Sequence, residues 1–198
     1  MVVYYIRHGE SESNLDGTHS GWSPVNLTPL GRAQAEATGK MLKDVHFDKL
    51  IVSDVRRAQQ TADLVFPGMP RTYSTQVREM NNTTMRGKSF DEMYELKGDL
   101  YVSCREAFDY APLEMDCESG AHLLARAKGF LDYLTTLDCE RVAVVAHAGF
   151  IQATGACIIG LTNHSPKMLS CRNASVSVFT YKHDRWNITL WDLTPELP

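Results

Sequence analysis

The sequence predicts an α/β fold, a three-layer α/β/α sandwich around a mostly parallel central sheet. Apolar runs of the length of buried strands recur along the chain, and segments with apolar residues at helical spacing lie between most of them. Strands that alternate with helices are joined by right-handed crossovers, which make neighbouring strands parallel and cover both faces of the sheet. The sequence contains no internal repeat or low-complexity segment, so residues 1–198 are expected to form a single domain.

Five segments are candidate strands. Four are apolar enough to be buried in a sheet, and the last alternates apolar and polar residues as an edge strand does. In chain order they are residues 2–6, 50–52, 142–146, 176–181 and 186–191. Ligand sites of such sheets lie at the carboxyl ends of the strands, so the residues after these segments are the first candidates for function.

Helices are predicted between the strands. The first long helix is expected to begin at Pro29 with Thr28 as its N-cap, and apolar residues at helical spacing continue it to Met41. Ser89 and Glu92 have the spacing of a capping box, which predicts the start of another helix. Further helices are expected at about 57–66, at about 119–137 and after residue 149.

Composition and charge argue against several classes of function. A formal net charge of -4 disfavours a nucleic-acid binder with a broad basic face. The five cysteines are odd in number and form no Cys-x-x-Cys pair, so neither a disulfide framework nor a zinc site is expected, and the expected location is the cytoplasm. No apolar run has the length of a membrane span, so no membrane association is expected.

Three of the candidate strands end in polar residues that suit an anion. Arg7 and His8 follow the first strand, Arg57 lies where a helix starts after the second, and His147 follows the third. In a mostly parallel sheet these ends meet at one edge. Arginines offer forked donors to phosphoryl oxygens and helix N-termini add N–H groups, so a phosphate site is the economical interpretation.

The run after the first strand resembles the signature of a known family, the histidine phosphatase superfamily, in the branch that includes the phosphoglycerate mutases. It consists of Arg7-His8-Gly9-Glu10-Ser11, with Asn14 three residues on. Residues 27–35 are similar to the family's Leu-Thr-x-x-Gly-x-x-Gln-Ala helix. Residues 53–62 are similar to its Ser-x-x-x-Arg-Ala-x-Gln-Thr-Ala segment, with Arg57 at the phosphate-binding position.

Two further motifs complete the resemblance. The family's Arg-Glu dyad, which carries the acid/base glutamate, is similar to Arg78-Glu79, and its His-Gly-Gly-x-Ile turn is similar to His147-Ala148-Gly149 with Ile151. The resemblance covers most of the chain, is strongest to the small phosphatases of the family, and implies a phosphoglycerate mutase-like sandwich.

The resemblance also implies a mechanism. His8 would attack phosphorus and form a phosphohistidine, and Glu79 would protonate the leaving alkoxide and then deprotonate water. The phosphoryl group would be held by Arg7, Asn14, Arg57, a protonated or donating His147, and the Ala148 N–H. Removing Arg57 should cripple turnover rather than folding. No metal or other cofactor is implied, and structural or surface roles are expected for His19, His46, His122, His164 and His183.

Hydrolase and mutase differ in whether water or a second substrate hydroxyl receives the phosphoryl group, and the residues that line the substrate pocket determine which of the two it is. Gly21-Trp22 resembles an element of phosphoglycerate mutases, although Trp22 could equally be a packing residue or an aromatic wall. Against a mutase, the chain is shorter than the cofactor-dependent mutases, and the residues after Glu79 lack the Arg-His-Tyr-Gly continuation of those enzymes. The residues expected to shape the substrate pocket are Trp22, Met80, Met85 and Arg86, together with Phe90 and Tyr94.

The segment at about 80–118 is expected to be a cap-like insertion, and its second part is acidic. Residues 91–118 contain nine carboxylates against Lys97 and Arg105. One interpretation is a solvated insertion and the other is a cap over the site. An acidic cap would repel substrates with several phosphates, so it would favour monophosphate esters.

The expected function is therefore a phosphatase that hydrolyses small phosphate monoesters through a phosphohistidine intermediate. The alternatives are a phosphoglycerate mutase-like phosphotransferase and a non-catalytic phospho-ligand binding module. The intact set argues against the binding module, because binding needs neither nucleophile nor proton donor; it consists of Arg7, His8, Arg57, Glu79 and His147. The expected partner is a small phosphorylated metabolite, and the oligomeric state stays open, with a homodimer among the options.

Overall fold

The computed structural model describes residues 1–113, 116–161 and 169–197, so His164 and Glu114 lie outside the described residues. The described strands are β1 (Val2–Arg7), β2 (Lys49–Ser53), β3 (Thr72–Ser74), β4 (Arg141–Ala146), β5 (Val176–Lys182) and β6 (Arg185–Leu193). The described α-helices are α1 (Glu12–Leu15), α2 (Pro29–Leu42), α3 (Arg56–Val65), α4 (Phe90–Ala107), α5 (Gly120–Thr135) and α6 (Ala148–Ile158). Two single turns of 3₁₀-helix lie at Thr75–Val77 and Thr83–Met85.

The strands form one mixed sheet in the order β3-β2-β4-β1-β5-β6. The first four in this order are parallel to one another, while β5 is antiparallel to β1 and β6 is antiparallel to β5. In the register, Arg7 at the end of β1 lies opposite Ala146 at the end of β4. Because the two strands are parallel, the next residue of each, His8 and His147, leaves the sheet at the same level.

Alternate residues of the central strands face two separate apolar cores. In β4, Val142 and Val144 belong to the core that α5 and α6 cover, and Ala143 and Val145 belong to the core that α2 and α3 cover. All four side chains are completely buried, which explains why this strand is continuously apolar rather than alternating. Helices therefore lie on both faces of the sheet, and the predicted α/β/α sandwich is confirmed.

The five predicted strands are present, and the edge position of β6 is as expected. The sequence did not indicate β3 or α1. All three side chains of β3 are exposed or half-buried, so no apolar pattern marks that strand. The N-caps at Thr28 and Ser89 accept hydrogen bonds from Gly31 N and Glu92 N, as their spacing predicted.

The cap segment contains α4, which is not one continuous helix. Gly98 interrupts it with φ 53° and ψ -137°, a left-handed conformation that favours glycine. Both halves of α4 still contribute to the core beside α5, through Met93 in the first half and Tyr101 in the second. None of the helices in the described residues is both long and apolar enough to cross a membrane.

Candidate active site

His8 and His147 lie side by side at the carboxyl edge of the sheet. Their ring centroids are 5.1 Å apart, and both residues are buried. The parallel register of β1 and β4 sets this distance, because each histidine directly follows its strand. We use the term phosphate floor for these two histidines together with Arg7 and Arg57.

The imidazole of His8 is held as one neutral tautomer. Its Nδ1 lies 2.7 Å from the carbonyl oxygen of Gly9, which can only accept, so Nδ1 carries the hydrogen. Its Nε2 accepts a hydrogen bond from Arg57 Nε at 3.1 Å. Burial, and then the positive charges of Arg57 and Arg7, hold the pKa of His8 well below its ordinary value. The result is a neutral imidazole with an unprotonated Nε2, as a nucleophile requires.

The loop after His8 lies directly on the first turn of α2. A Cβ added to Gly9 would be 2.2 Å from the carbonyl oxygen of Gly31, and one added to Gly31 would be 1.9 Å from that of Glu10. Thr28 fastens the same loop, because its backbone N–H donates to Glu10 O at 3.0 Å. The two glycines are therefore needed for a close backbone approach, which fixes the position of the histidine.

Arg57 is 1% exposed and connects His8 to the loop that follows α1. Besides its bond to His8, it donates through Nη2 to Gly21 O at 2.8 Å and through Nη1 to Ser23 O at 3.4 Å. Burial lowers the pKa of Arg57 to about 10, so it remains charged at neutral pH. Arg57 thus also holds the 21–23 loop in place, so its loss would affect folding as well as turnover, contrary to the expectation from the sequence.

His147 is neutral and has one ring nitrogen available. Its Nε2 lies 2.9 Å from the hydroxyl of Ser53, which itself accepts from Val55 N at 3.3 Å. The Ser53 hydroxyl can then donate to Nε2, which leaves the hydrogen on Nδ1, a buried atom without a hydrogen-bond partner in the described structure. Burial and the charge of Arg57 hold the pKa of His147 well below its ordinary value. Of the two states expected for His147, the structure favours the neutral donor over the protonated form.

The other predicted phosphate ligands offer donors near the floor. Arg7 donates through Nη1 to Cys171 O, and its Nε is buried without a partner among the described residues. The side-chain oxygen of Asn14 accepts from Ser11 N at 3.2 Å and Asn173 Nδ2 at 3.1 Å, which leaves its own amide N–H groups to donate. The backbone N–H of Ala148 is at the first position of α6, where it has no acceptor within the helix.

Glu79 lies at the N-terminus of α6. Its Oε2 accepts from Gly149 N at 3.3 Å and its Oε1 from Met80 N at 2.8 Å. A Cβ added to Gly149 would be 2.3 Å from Glu79 Oε1, so the second glycine of the turn makes room for the carboxylate. The N–H groups at this helix end can hold the carboxylate that remains after Glu79 has donated a proton.

A cavity of about 290 Å³ opens beside Glu79. We use the term Glu79 cavity for the space that is lined by Thr18, His19, Ser20, Gly21, Glu79, Met80, Asn82, Phe90, Arg105, Phe108, Tyr110, Ala148, Gly149 and Gln152. Of the six predicted pocket residues, Met80 and Phe90 line it, whereas Tyr94 is exposed and does not. Met85 is completely buried in the core, and Arg86 is exposed and donates to Thr83 Oγ1 at 2.8 Å.

Trp22 is a packing residue behind Glu79 rather than a wall of this cavity. Its indole N–H donates to Glu79 O at 2.8 Å. The guanidinium of Arg78 lies 4.6 Å from the centre of its ring, and Arg78 forms an ion pair with Asp54. The sequence also missed Arg126, which donates to the carbonyls of Arg78 and Glu79.

The cap segment brings a cation to the cavity, not an anion. Arg105 from α4 lines the Glu79 cavity, and its guanidinium lies 4.3 Å from the centre of the Phe90 ring. Within the described part of the chain, it has no carboxylate partner. Most of the described carboxylates of residues 91–118 are exposed, and none of them lines the cavity. Among the described residues, the expected acidic cap therefore presents an arginine rather than a carboxylate to the cavity.

Residues 1–113, 116–161 and 169–197 contain no cluster of three or more histidine, cysteine or carboxylate side chains that could hold a metal ion.

Comparisons with known proteins agree with this geometry. The model of the histidine phosphatase superfamily (branch 1) matches residues 3–194. The adenosylcobalamin/alpha-ribazole phosphatase of Salmonella typhimurium is 27% identical over 155 residues, which is 76% of each chain. A 2,3-bisphosphoglycerate-dependent phosphoglycerate mutase of Methylorubrum extorquens is 29% identical over 197 residues, 92% of this chain and 91% of the mutase. The solved mycobacterial glucosyl-3-phosphoglycerate phosphatase in complex with VO3 superposes with a TM-score of 0.86 at 25% identity and covers 98% of this chain and 99% of that one.

Proposed function

The chain belongs to branch 1 of the histidine phosphatase superfamily, and we propose that it hydrolyses small phosphate monoesters through a phosphohistidine on His8. The family and the phosphatases among its relatives support a phosphatase enzyme. The observation that carries the proposal is the state of His8, which is neutral, fixed by Gly9 O, and directs Nε2 at a buried arginine.

The first chemical step transfers the phosphoryl group to His8. When a phosphate enters the floor, Arg57 exchanges its bond to Nε2 for phosphoryl oxygens, and Arg7 Nε and His147 Nδ1 supply the buried donors that lack partners. Nε2 attacks phosphorus, the P–O bond to the alcohol breaks, and Glu79 gives its proton to the leaving oxygen.

The second step returns the enzyme to its starting state. Water attacks the phosphohistidine, Glu79 takes a proton from that water, the P–N bond breaks, and inorganic phosphate leaves. Glu79 suits both steps because it lies between the Gly149 N–H and the cavity in which the alcohol would be replaced by water.

The Glu79 cavity indicates which alcohols fit. A volume of about 290 Å³ suits a small molecule, and rings of Phe90, Phe108 and Tyr110 provide apolar walls. Arg105 adds a single positive charge, so we extend the proposal to phosphate esters whose alcohol carries one further anionic group, such as a carboxylate. The five free cysteines favour a reducing cytoplasm as the place of action.

The runner-up is a phosphoglycerate mutase-like transferase, which the similarity to the Methylorubrum extorquens mutase favours. It differs only in the acceptor, because a second substrate hydroxyl replaces water in the attack on the phosphohistidine.

One quench experiment separates the alternatives. Labelled 3-phosphoglycerate and, separately, p-nitrophenyl phosphate are mixed with the wild type and with His8→Ala, and trapped phosphoenzyme and free phosphate are counted. We expect the wild type to form phosphoenzyme and release phosphate, and His8→Ala to lose activity by about 10⁴-fold or more. Conversion to 2-phosphoglycerate without phosphate release would favour the mutase. No phosphoenzyme from either compound in the wild type would favour the binding module.

A further inference from the structure

Glu79 lies on a segment that has no regular secondary structure of its own. The segment connects the 3₁₀ turn at Thr75–Val77 to the turn at Thr83–Met85. A general acid must stay within hydrogen-bond reach of one oxygen atom, so an irregular segment needs support from elsewhere in the molecule.

Arg126 of α5 provides that support on one side. Its Nη1 donates to Gln76 O at 2.8 Å and to Arg78 O at 2.7 Å, and its Nη2 lies 3.4 Å from Glu79 O. One guanidinium thus binds three backbone carbonyls of the irregular segment, the last of which belongs to Glu79 itself.

Glu118 completes the contact on the other side. Its carboxylate accepts from Arg126 Nε at 3.0 Å and from Arg126 Nη2 at 2.9 Å, and also from Asn81 N at 3.0 Å. Asn81 O in turn accepts from Glu118 N at 2.8 Å. The side chains of Glu118 and Arg126 are 4% and 13% exposed, so water competes little for these bonds.

We propose that Arg126 and Glu118 are positioning residues that hold residues 76–81 so that the Glu79 carboxylate stays at the N-terminus of α6. The inference rests on the proposed function, because it assigns the pair to the acid/base step of that reaction. The pair does more than attach α5 to the domain, because α5 is already anchored in the core by Leu123, Phe130 and Leu134. Loss of the pair would free the Glu79 segment while α5 keeps its apolar contacts.

The test uses two esters that need general acid catalysis to different degrees. Phenyl phosphate has a poor leaving group, whereas p-nitrophenolate leaves with little help from an acid. We measure kcat/KM, which reports phosphoryl transfer to His8, for Arg126→Met, Glu118→Gln and, as the reference for a lost acid, Glu79→Gln. The matched control is Lys128→Met, which removes one positive charge from an exposed site on the same helix.

Arg126→Met should lose about 100-fold in kcat/KM on phenyl phosphate and less than tenfold on p-nitrophenyl phosphate, the pattern of Glu79→Gln. Glu118→Gln should show the same pattern with a smaller loss of kcat/KM on phenyl phosphate. Lys128→Met should have the wild-type kcat/KM on both esters. Equal losses on the two esters would show a general effect on folding and would overturn the inference. Where Arg126→Met does not fold, Glu118→Gln provides the same comparison.

Amide hydrogen exchange tests the positioning without any turnover. The N–H groups of Met80 and Asn81 donate to the carboxylates of Glu79 and Glu118, so both should exchange faster in Arg126→Met than in Lys128→Met. Unchanged exchange at both amides overturns the inference. If the wild type releases no phosphate, the proposed function fails, and with it the catalytic part of the inference.

Discussion

The phosphate floor and the Glu79 cavity lie next to each other but are built in different ways. Arg7, His8 and His147 stand at the ends of two neighbouring parallel strands, and the register of the sheet sets their positions. Apart from three residues of α6, the cavity wall consists of loop and cap residues. Side chains bonded to backbone carbonyls hold parts of it, such as Trp22 to Glu79. The floor therefore depends on secondary structure, and the wall depends on tertiary contacts that can change without disturbing the sheet.

The two regions also differ in charge. The floor combines two arginines with two neutral histidines, and the charge of Arg57 is among the causes that lower the pKa of both imidazoles. Of the described residues that line the wall, Arg105 is the one permanent cation, and aromatic rings also line the cavity. In the proposed reaction, the floor would carry out the chemistry on the phosphate and the wall would select the alcohol.

The sharpest test of the floor is Arg57→Lys. A lysine keeps the positive charge, but it cannot present a fork to phosphoryl oxygens or reach the two loop carbonyls at once. We expect kcat/KM to fall about 10³-fold, and the free energy of unfolding to fall by about 1–3 kcal/mol because buried carbonyls lose donors. Steady-state kinetics and urea unfolding measure the two effects.

Arg56→Lys is the matched control, because Arg56 is the exposed neighbour at the start of α3. It should leave both quantities at the wild-type level. Full activity in Arg57→Lys, or an equal loss in Arg56→Lys, would contradict the role that the structure gives to the buried arginine.

The sequence predicted the floor better than the wall for a physical reason. His8 and His147 follow apolar strands that are visible in the sequence, and parallel register brings strand ends together. Arg126 could not be found in this way, because it acts on the carbonyl of a residue 47 positions away, and any residue has a carbonyl. Met85 was predicted to line the pocket but is buried in the core. The sequence around a methionine after Glu79 is the same whether its side chain faces a ligand or the core.

The second test concerns acid stability, to which His19 in the wall contributes. Its Nε2 bonds to Tyr101 OH at 2.7 Å, and burial, with the charge of Arg105, lowers its pKa to about 4. In the unfolded chain the pKa of histidine is about 6.5, so between about pH 6.5 and pH 4 the unfolded state binds the proton and the folded state does not. Unfolding free energy should therefore fall as the pH falls through this window, by about 3 kcal/mol from His19 alone.

His19→Gln isolates this contribution from those of His8 and His147, whose pKa values are also depressed. Unfolding free energies measured from pH 7 to pH 4 should decline less steeply in this variant than in the wild type. His46→Gln, the same substitution at a side chain that is 84% exposed, is the control for the exchange of histidine for glutamine itself. Parallel slopes for the wild type and His19→Gln would mean that His19 is not held neutral by the wall.

The smallest expected effect distinguishes Arg105, which the structure places in the wall, from Arg86, which the sequence predicted there. Arg105 lines the cavity without a carboxylate partner among the described residues, whereas Arg86 is exposed, does not line the cavity and donates to Thr83 Oγ1. We expect Arg105→Met to lower kcat/KM about tenfold for a phosphate ester that carries a carboxylate, because a charge-assisted bond at a partly exposed site contributes about 1.4 kcal/mol. For a phosphate ester whose alcohol carries no charge, the same substitution should change kcat/KM little.

Arg86→Met should leave kcat/KM unchanged for both esters, because its guanidinium is outside the cavity. The comparison uses the difference between the two esters within each variant, so a general loss of stability cancels. A selective loss in Arg86→Met, with none in Arg105→Met, would mean that the sequence placed the basic wall residue better than the structure does. A fall in kcat/KM for the carboxylated ester in Arg105→Met alone would show that the cap selects the alcohol by attracting its negative charge. It would do so although the segment that carries this arginine has an excess of negative charge.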